Sequence, residues 1–109
     1  MSADTVRLPS GTPSPAAFHY GPGHMIVHGN PAFIEAFGYT TIGQPAREAL
    51  LDLPPKAFEL MDLVFETGKP GACAVITSAG PRRLVVAPRR DPETGEVYGV
   101  TTHLRPAAG

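Results

Sequence analysis

The 109-residue chain predicts an α+β fold from two observations: its β-prone runs gather at the two ends, and an amphipathic helical stretch fills the middle. A five-stranded antiparallel sheet with its helices on one face closes that order most simply. Each strand then has an apolar side, and the longest helix supplies a matching stripe. A ferredoxin-like sandwich competes, but it places one helix between paired strands. Here two hairpin strands precede any helix.

Residues 1–15 hold three prolines, with Val6 and Leu8 as the only sizeable apolar groups, and read as a disordered tail. From Ala16 the pattern changes. Ala16 to Tyr20 is a short aromatic strand, Gly21-Pro22-Gly23 is a turn, and His24 to His28 is a second β-prone run ending at Gly29. A capped helix follows over residues 31–37. Asn30 can accept from an orphan amide at its entrance, Pro31 sits where a missing N–H is harmless, Phe33 and Phe37 share a face at i and i+4, and Gly38 stops it.

A short helical stretch is expected around Ala46 to Leu51. Pro54-Pro55 then opens the longest helix, in which Ala57, Phe58, Met61, Val64 and Phe65 repeat at helical spacing. Lys56, Glu59, Asp62 and Glu66 keep to the other side and read as a solvated face. Gly68 ends this helix and Pro70 prevents its return. Strands are expected over Ala72 to Thr77, Arg82 to Pro88 and Glu96 to Leu104, separated by turns at residues 78–81 and 91–95, with a short tail over residues 106–109.

The length suits one domain with a single core. At 42% hydrophobic and 17% charged residues with a net charge of -1, the chain has no global field to steer it to nucleic acid or an anionic membrane, so neither partner is expected. The one cysteine, Cys73, cannot form an internal disulfide, no secretory signal opens the sequence, and no apolar run reaches the ~18 residues of a membrane helix. A soluble, cytoplasmic setting is the expectation.

Asn30-Pro31-Ala32-Phe33, then Phe37-Gly38-Tyr39, Ile42-Gly43, a long helix closing on Glu66-Thr67-Gly68-Lys69-Pro70, and Arg89-Arg90-Asp91 before Gly95-Glu96-Val97-Tyr98-Gly99-Val100 follow one another in an order that resembles a PAS domain. The resemblance covers Ala16 to Arg105. It implies a sheet in the spatial order 2-1-5-4-3, helices on its concave side around a small-molecule cavity, and a role in sensing or protein association. The implied partners are a second copy or a signalling protein, with a small ligand between helices and sheet. No cofactor is predicted, with non-covalent haem or flavin, or a dimerisation module without ligand, as the alternative readings. The flavin photosensors of this family carry a reactive cysteine in an Asn-Cys-Arg-Phe run where this chain reads Gln44 to Glu48. Haem sensors commonly use a histidine on the long helix, and residues 55–67 contain none.

Pocket walls are expected from Phe33, Phe37, Phe58, Met61, Phe65, Val75, Leu84, Val86 and Val100, all of which plain core packing explains equally. Tyr39, Thr77 and Thr102 are the polar groups that could orient a guest. His19, His24, His28 and His103 read as scattered surface or edge residues, since no zinc-like spacing accompanies them. Cys73 reads as a small buried thiol. Arg82, Arg83, Arg89 and Arg90 read as cations guarding a strand edge. No nucleophile motif, phosphate loop or carboxylate pair appears, so no catalysis is expected.

Overall fold

The computed structural model describes residues 14–107, so the expected tail falls outside it up to residue 13, as do residues 108–109. Five strands, β1 (Ala16–Tyr20), β2 (Met25–Gly29), β3 (Gly71–Thr77), β4 (Gly80–Arg90) and β5 (Val97–Pro106), pair antiparallel in the order β2-β1-β5-β4-β3. Between β2 and β3 run α1 (Pro31–Phe37), a 3-10 turn (Tyr39–Thr41), α2 (Ala46–Ala49) and α3 (Pro55–Thr67). The expected sheet order is therefore the observed one, and the last two strands of the chain, β4 and β5, each run longer than their apolar cores suggest.

Side-chain alternation gives the sheet one inner face. Ala17, Ile26, Val75, Leu84, Val86, Val100 and Leu104 are buried there against Phe33 of α1 and Ala57, Phe58, Met61 and Val64 of α3. A bulge between Phe18 and His19 in the β1–β2 pairing leaves Val27 and His28 both exposed, so Ile26 stays inside although the register slips by one. Fully burying a side chain of this size contributes roughly 1.5–3 kcal/mol relative to leaving it in water.

The helix ends are those the sequence marks. Asn30 caps α1 by accepting from the Phe33 amide at 2.8 Å, and it also accepts from the Ala16 amide at 3.0 Å, which ties the cap to β1. Phe33 and Phe37 stack at 5.0 Å. Gly68 ends α3 with φ 70, a left-handed cap a residue with Cβ would resist. Arg90 of β4 donates to the Gly68 carbonyl at 2.9 Å and to Gly95 at 2.7 Å, locking that cap to the β4–β5 turn.

Two readings need correction. β4 lies between β5 and β3, so Arg82, Arg83, Arg89 and Arg90 do not guard an edge. The free edge of β2 is instead covered by residues 43–46, through Ile26 N–H to Gln44, Gly43 N–H to Ile26 and Ala46 N–H to His24. Cys73 is only half-buried, on the helix side of the outermost strand β3, where partial burial pushes its thiol up.

Candidate functional site

The β1–β2 turn carries the most unusual residue of the chain. His24 adopts φ 56, the one non-glycine in the left-handed region among the described residues, and its ring is 1% exposed. That backbone swings the imidazole under α3. There Nε2 meets Asp62 Oδ1 at 2.7 Å, and the ring meets Phe65 edge-on at 6.1 Å. An ionised carboxylate only accepts, so Nε2 carries the proton.

Asp62 also accepts from Arg47 of α2, with Nη2 to Oδ2 at 2.6 Å and Nη1 to Oδ1 at 3.4 Å. The Arg47 hydrogen bond holds the Asp62 carboxyl below the usual carboxylate range despite partial burial, and His24 adds to that effect. The same carboxylate holds Arg47 above its ordinary value. The Arg47 guanidinium lies 5.7 Å from the Phe58 ring centroid, so its position is fixed from two sides. One side chain thus joins the β1–β2 turn, α2 and α3. Asp62 keeps to the expected solvated face at 38% exposure, yet the turn's reversed backbone also brings it a buried donor from 38 residues away.

His19 of β1 is wholly buried and shares a 2.8 Å hydrogen bond with Thr102 of the adjoining β5. Burial pushes its imidazole from 6.5 down to about 4, outweighing the backbone of His24, which acts the other way, so the ring is neutral in ordinary buffers. Neither His19 Nδ1 nor His24 Nδ1 has a hydrogen-bond partner among the described residues. Each such buried group costs roughly 1–3 kcal/mol when unsatisfied, which makes this junction the least settled part of the interior. The reading of all four histidines as surface or edge residues therefore holds for His28 and His103 only. His103 pairs with Ala16 and not with His19, and among the described residues no three His, Cys, Asp or Glu side chains gather to hold a metal ion.

The expected pocket residues separate. Phe33, Phe37, Leu84 and Thr102 line a void of about 10 Å³ with Leu50, Leu53, Pro15 and Leu104. Met61, Val75, Val86 and Val100 are solid core away from it. Phe58 packs under Arg47, and Phe65 against His24. Thr77 bonds the Gly80 carbonyl in the β3–β4 turn and lines an open cleft of about 450 Å³ with Glu35, Asp52 and Arg82. Tyr39 is 76% exposed, because the chain leaves α1 at Gly38 into a surface 3-10 turn; it can face no interior guest.

Two polar links lay beyond sequence reasoning. One is the His24–Asp62–Arg47 hub. The other is Asp52, whose carboxylate accepts from the Ser78 amide at 3.0 Å and the Ser78 hydroxyl at 2.9 Å, pinning the β3–β4 turn to the loop before α3. Among the described residues no helix is long and apolar enough to cross a membrane.

No protein-family model matches the sequence, and no curated protein matches it. Solved structures do resemble it. The Vibrio cholerae VqmA dimer aligns at a TM-score of 0.69 and 18% identity over 91% of this chain and 49% of the VqmA chain. The PAS domain of the histidine kinase ThkA aligns at 0.67 and 18% over 86% and 99% of the two chains. The LOV domain of the blue-light photoreceptor Aureochrome1 aligns at 0.66 and 15% over 96% and 90%. The chain spans about half of VqmA and nearly all of the isolated PAS domain. Its fold is that of PAS and LOV domains.

Proposed function

We propose that the chain is a non-catalytic, cytoplasmic sensory and protein-association module in which a small guest shifts the helical layer against the sheet. The observation that carries this reading is the Asp62 carboxylate, on which the β1–β2 turn, α2 and α3 converge. A displacement of the helical layer breaks a few definite bonds there, which is what separates two packings into distinct states. The similar structures support it, since they include VqmA bound to DPO, a histidine-kinase PAS domain and a blue-light photoreceptor.

The guest's place is the seam between α1, the residues after α2 and the inner sheet, bounded by Phe33, Leu50, Leu84 and Thr102. At about 10 Å³ the void is at the limit of one water, far below the ~300 Å³ or more of a small-molecule pocket. Occupancy therefore requires Leu50 and Leu53 to move, and that movement is transmitted to Arg47 of α2. Met61, Val75, Val86 and Val100 keep their packing throughout. No cofactor is proposed.

Native mass spectrometry of the chain purified under gentle conditions, combined with methyl NMR, tests the reading. A retained mass whose removal moves the Leu50, Leu84 and Thr102 methyl signals is expected. A bare chain in every preparation, with those signals unmoved by a panel of small apolar and amphipathic compounds, would refute it.

A further inference from the structure

We propose that the outer face of the sheet docks an acidic amphipathic helix of a partner protein. The inference rests on the reading of the chain as an association module and names the chemistry of what it associates with.

The net charge of -1 conceals a strong segregation. The five strands contain Arg82, Arg83, Arg89, Arg90 and Arg105 and not one Asp or Glu. The carboxylates of the described residues sit in the helical half, as Glu35, Glu48, Asp52, Glu59, Asp62 and Glu66, or at the β4–β5 connection, as Asp91, Glu93 and Glu96. Arg82 and Arg90 point their guanidinium groups at backbone carbonyls. Arg83 and Arg105 make no side-chain hydrogen bond or ion pair among the described residues, yet they stand directly opposite one another on β4 and β5. Like charges so placed destabilise a sheet, and nothing on this face relieves them. An anion from outside would.

Between that pair and Arg89 lies a mixed strip. Val85 and Ala87 of β4 and Phe18 of β1 turn outward in register beside the polar His103 and Thr101 of β5, with Tyr98 against Phe18. The six-residue step from Arg83 to Arg89 spans ~20 Å along the strand, the length of about 13 residues of helix. A helix with an apolar stripe and carboxylates toward both ends matches this spacing of cation, strip and cation.

Charge speaks against the sheet face of a second copy, because a two-fold contact would lay an acid-free surface on itself. Ring geometry speaks against single-stranded nucleic acid, which needs open aromatic faces. Arg89 already covers Phe18 at 5.5 Å, and Tyr98 meets that ring edge-on at 5.9 Å.

The test is an amide NMR titration of the whole chain with a helical peptide of about 18 residues bearing a leucine stripe flanked by glutamates, beside its lysine-flanked counterpart and oligothymidylate. The glutamate peptide is expected to shift Phe18, Val85, Ala87 and Thr101 with micromolar affinity, weakening at least threefold as salt rises from ~0.05 to ~0.5 M. The double variant R83E/R105E should lose at least tenfold toward the glutamate peptide and gain binding of the lysine peptide, a reversal that a merely misfolded variant cannot show. Equal binding of both peptides, oligothymidylate bound on the same residues, self-association through this face, or no shift at all would overturn the proposal. None of these outcomes bears on whether a guest is retained inside, so the two readings fail separately.

Discussion

His24 Nε2 and Asp62 Oδ1 lie 2.7 Å apart, joining a turn at one end of the sheet to the middle of α3. The pair is asymmetric, since the histidine is buried at 1% exposure while the aspartate is 38% exposed and shared with Arg47. Removing Asp62 and removing Arg47 should therefore have unequal effects. Asp62→Ala strands a buried imidazole proton and is expected to cost about 2 kcal/mol, whereas Arg47→Ala breaks a solvent-facing pair and should cost clearly less. Urea denaturation of the two variants checks the ranking, and equal losses would show that the histidine draws nothing from the contact.

His19 makes stability depend on pH in a defined window. Its imidazole falls from 6.5 in the free state to about 4 in the fold, so between those values the unfolded chain binds more protons than the native one. Stability should then be complete above pH 6.5 and decline as pH falls toward 4. The decline should reach at most ~3 kcal/mol from this residue. His19→Gln, which keeps a hydrogen-bonding group near Thr102, should flatten that stretch of the curve. Asp62 acts lower down: its carboxyl is held below 3.8, so its contribution is present above 3.8 and is lost only as pH falls through the lower folded value. Denaturation midpoints at half-unit steps from pH 3 to 8 would separate the two.

Gly99 carries a packing requirement that its strand position hides. A Cβ there would collide with the His19 carbonyl and press on the Phe18 ring, both on the adjoining β1. Gly99→Ala should push the two central strands apart and cost more than ~2 kcal/mol. Loss of hydrogen-exchange protection at both β1 and β5 would identify the mechanism. A silent substitution would mean that β1 can slide without penalty.

The fold was legible because it depends on local patterns. Asn30-Pro31, the Phe33 and Phe37 pair, Gly68-Lys69-Pro70 and the stripe of α3 each determine an element within a few residues, and the strands alternate about a single core. The site was not legible for the opposite reason. Asp62 has the spacing of a solvated residue, and only the reversed backbone at His24 brings a buried partner to it. His19 looks like any strand histidine until β5 sets Thr102 beside it. Tyr39 failed for a third reason: a phenol can orient a guest only if it faces inward, and Gly38 turns it outward. The arginines misled because strand position within a sheet, interior or edge, is a property of pairing and not of sequence.

Leu50 closes the seam between α1, the sheet and the loop before α3, where the interior is already short of atoms. Leu50→Ala should leave a dry cavity, since Phe33, Phe37, Leu53, Leu84 and Leu104 surround it and Thr102 is the one polar side chain on its wall. The expected loss is about 2–5 kcal/mol, according to how far α2 collapses inward. If the seam is where a guest belongs, benzene or xenon should raise the melting temperature of Leu50→Ala and leave the parent chain unchanged. The substitution should also loosen Arg47, three residues away on α2, from Asp62. A variant that loses stability but gains nothing from either probe would show that the seam collapses when emptied, and that the helical layer has no second packing to offer a guest.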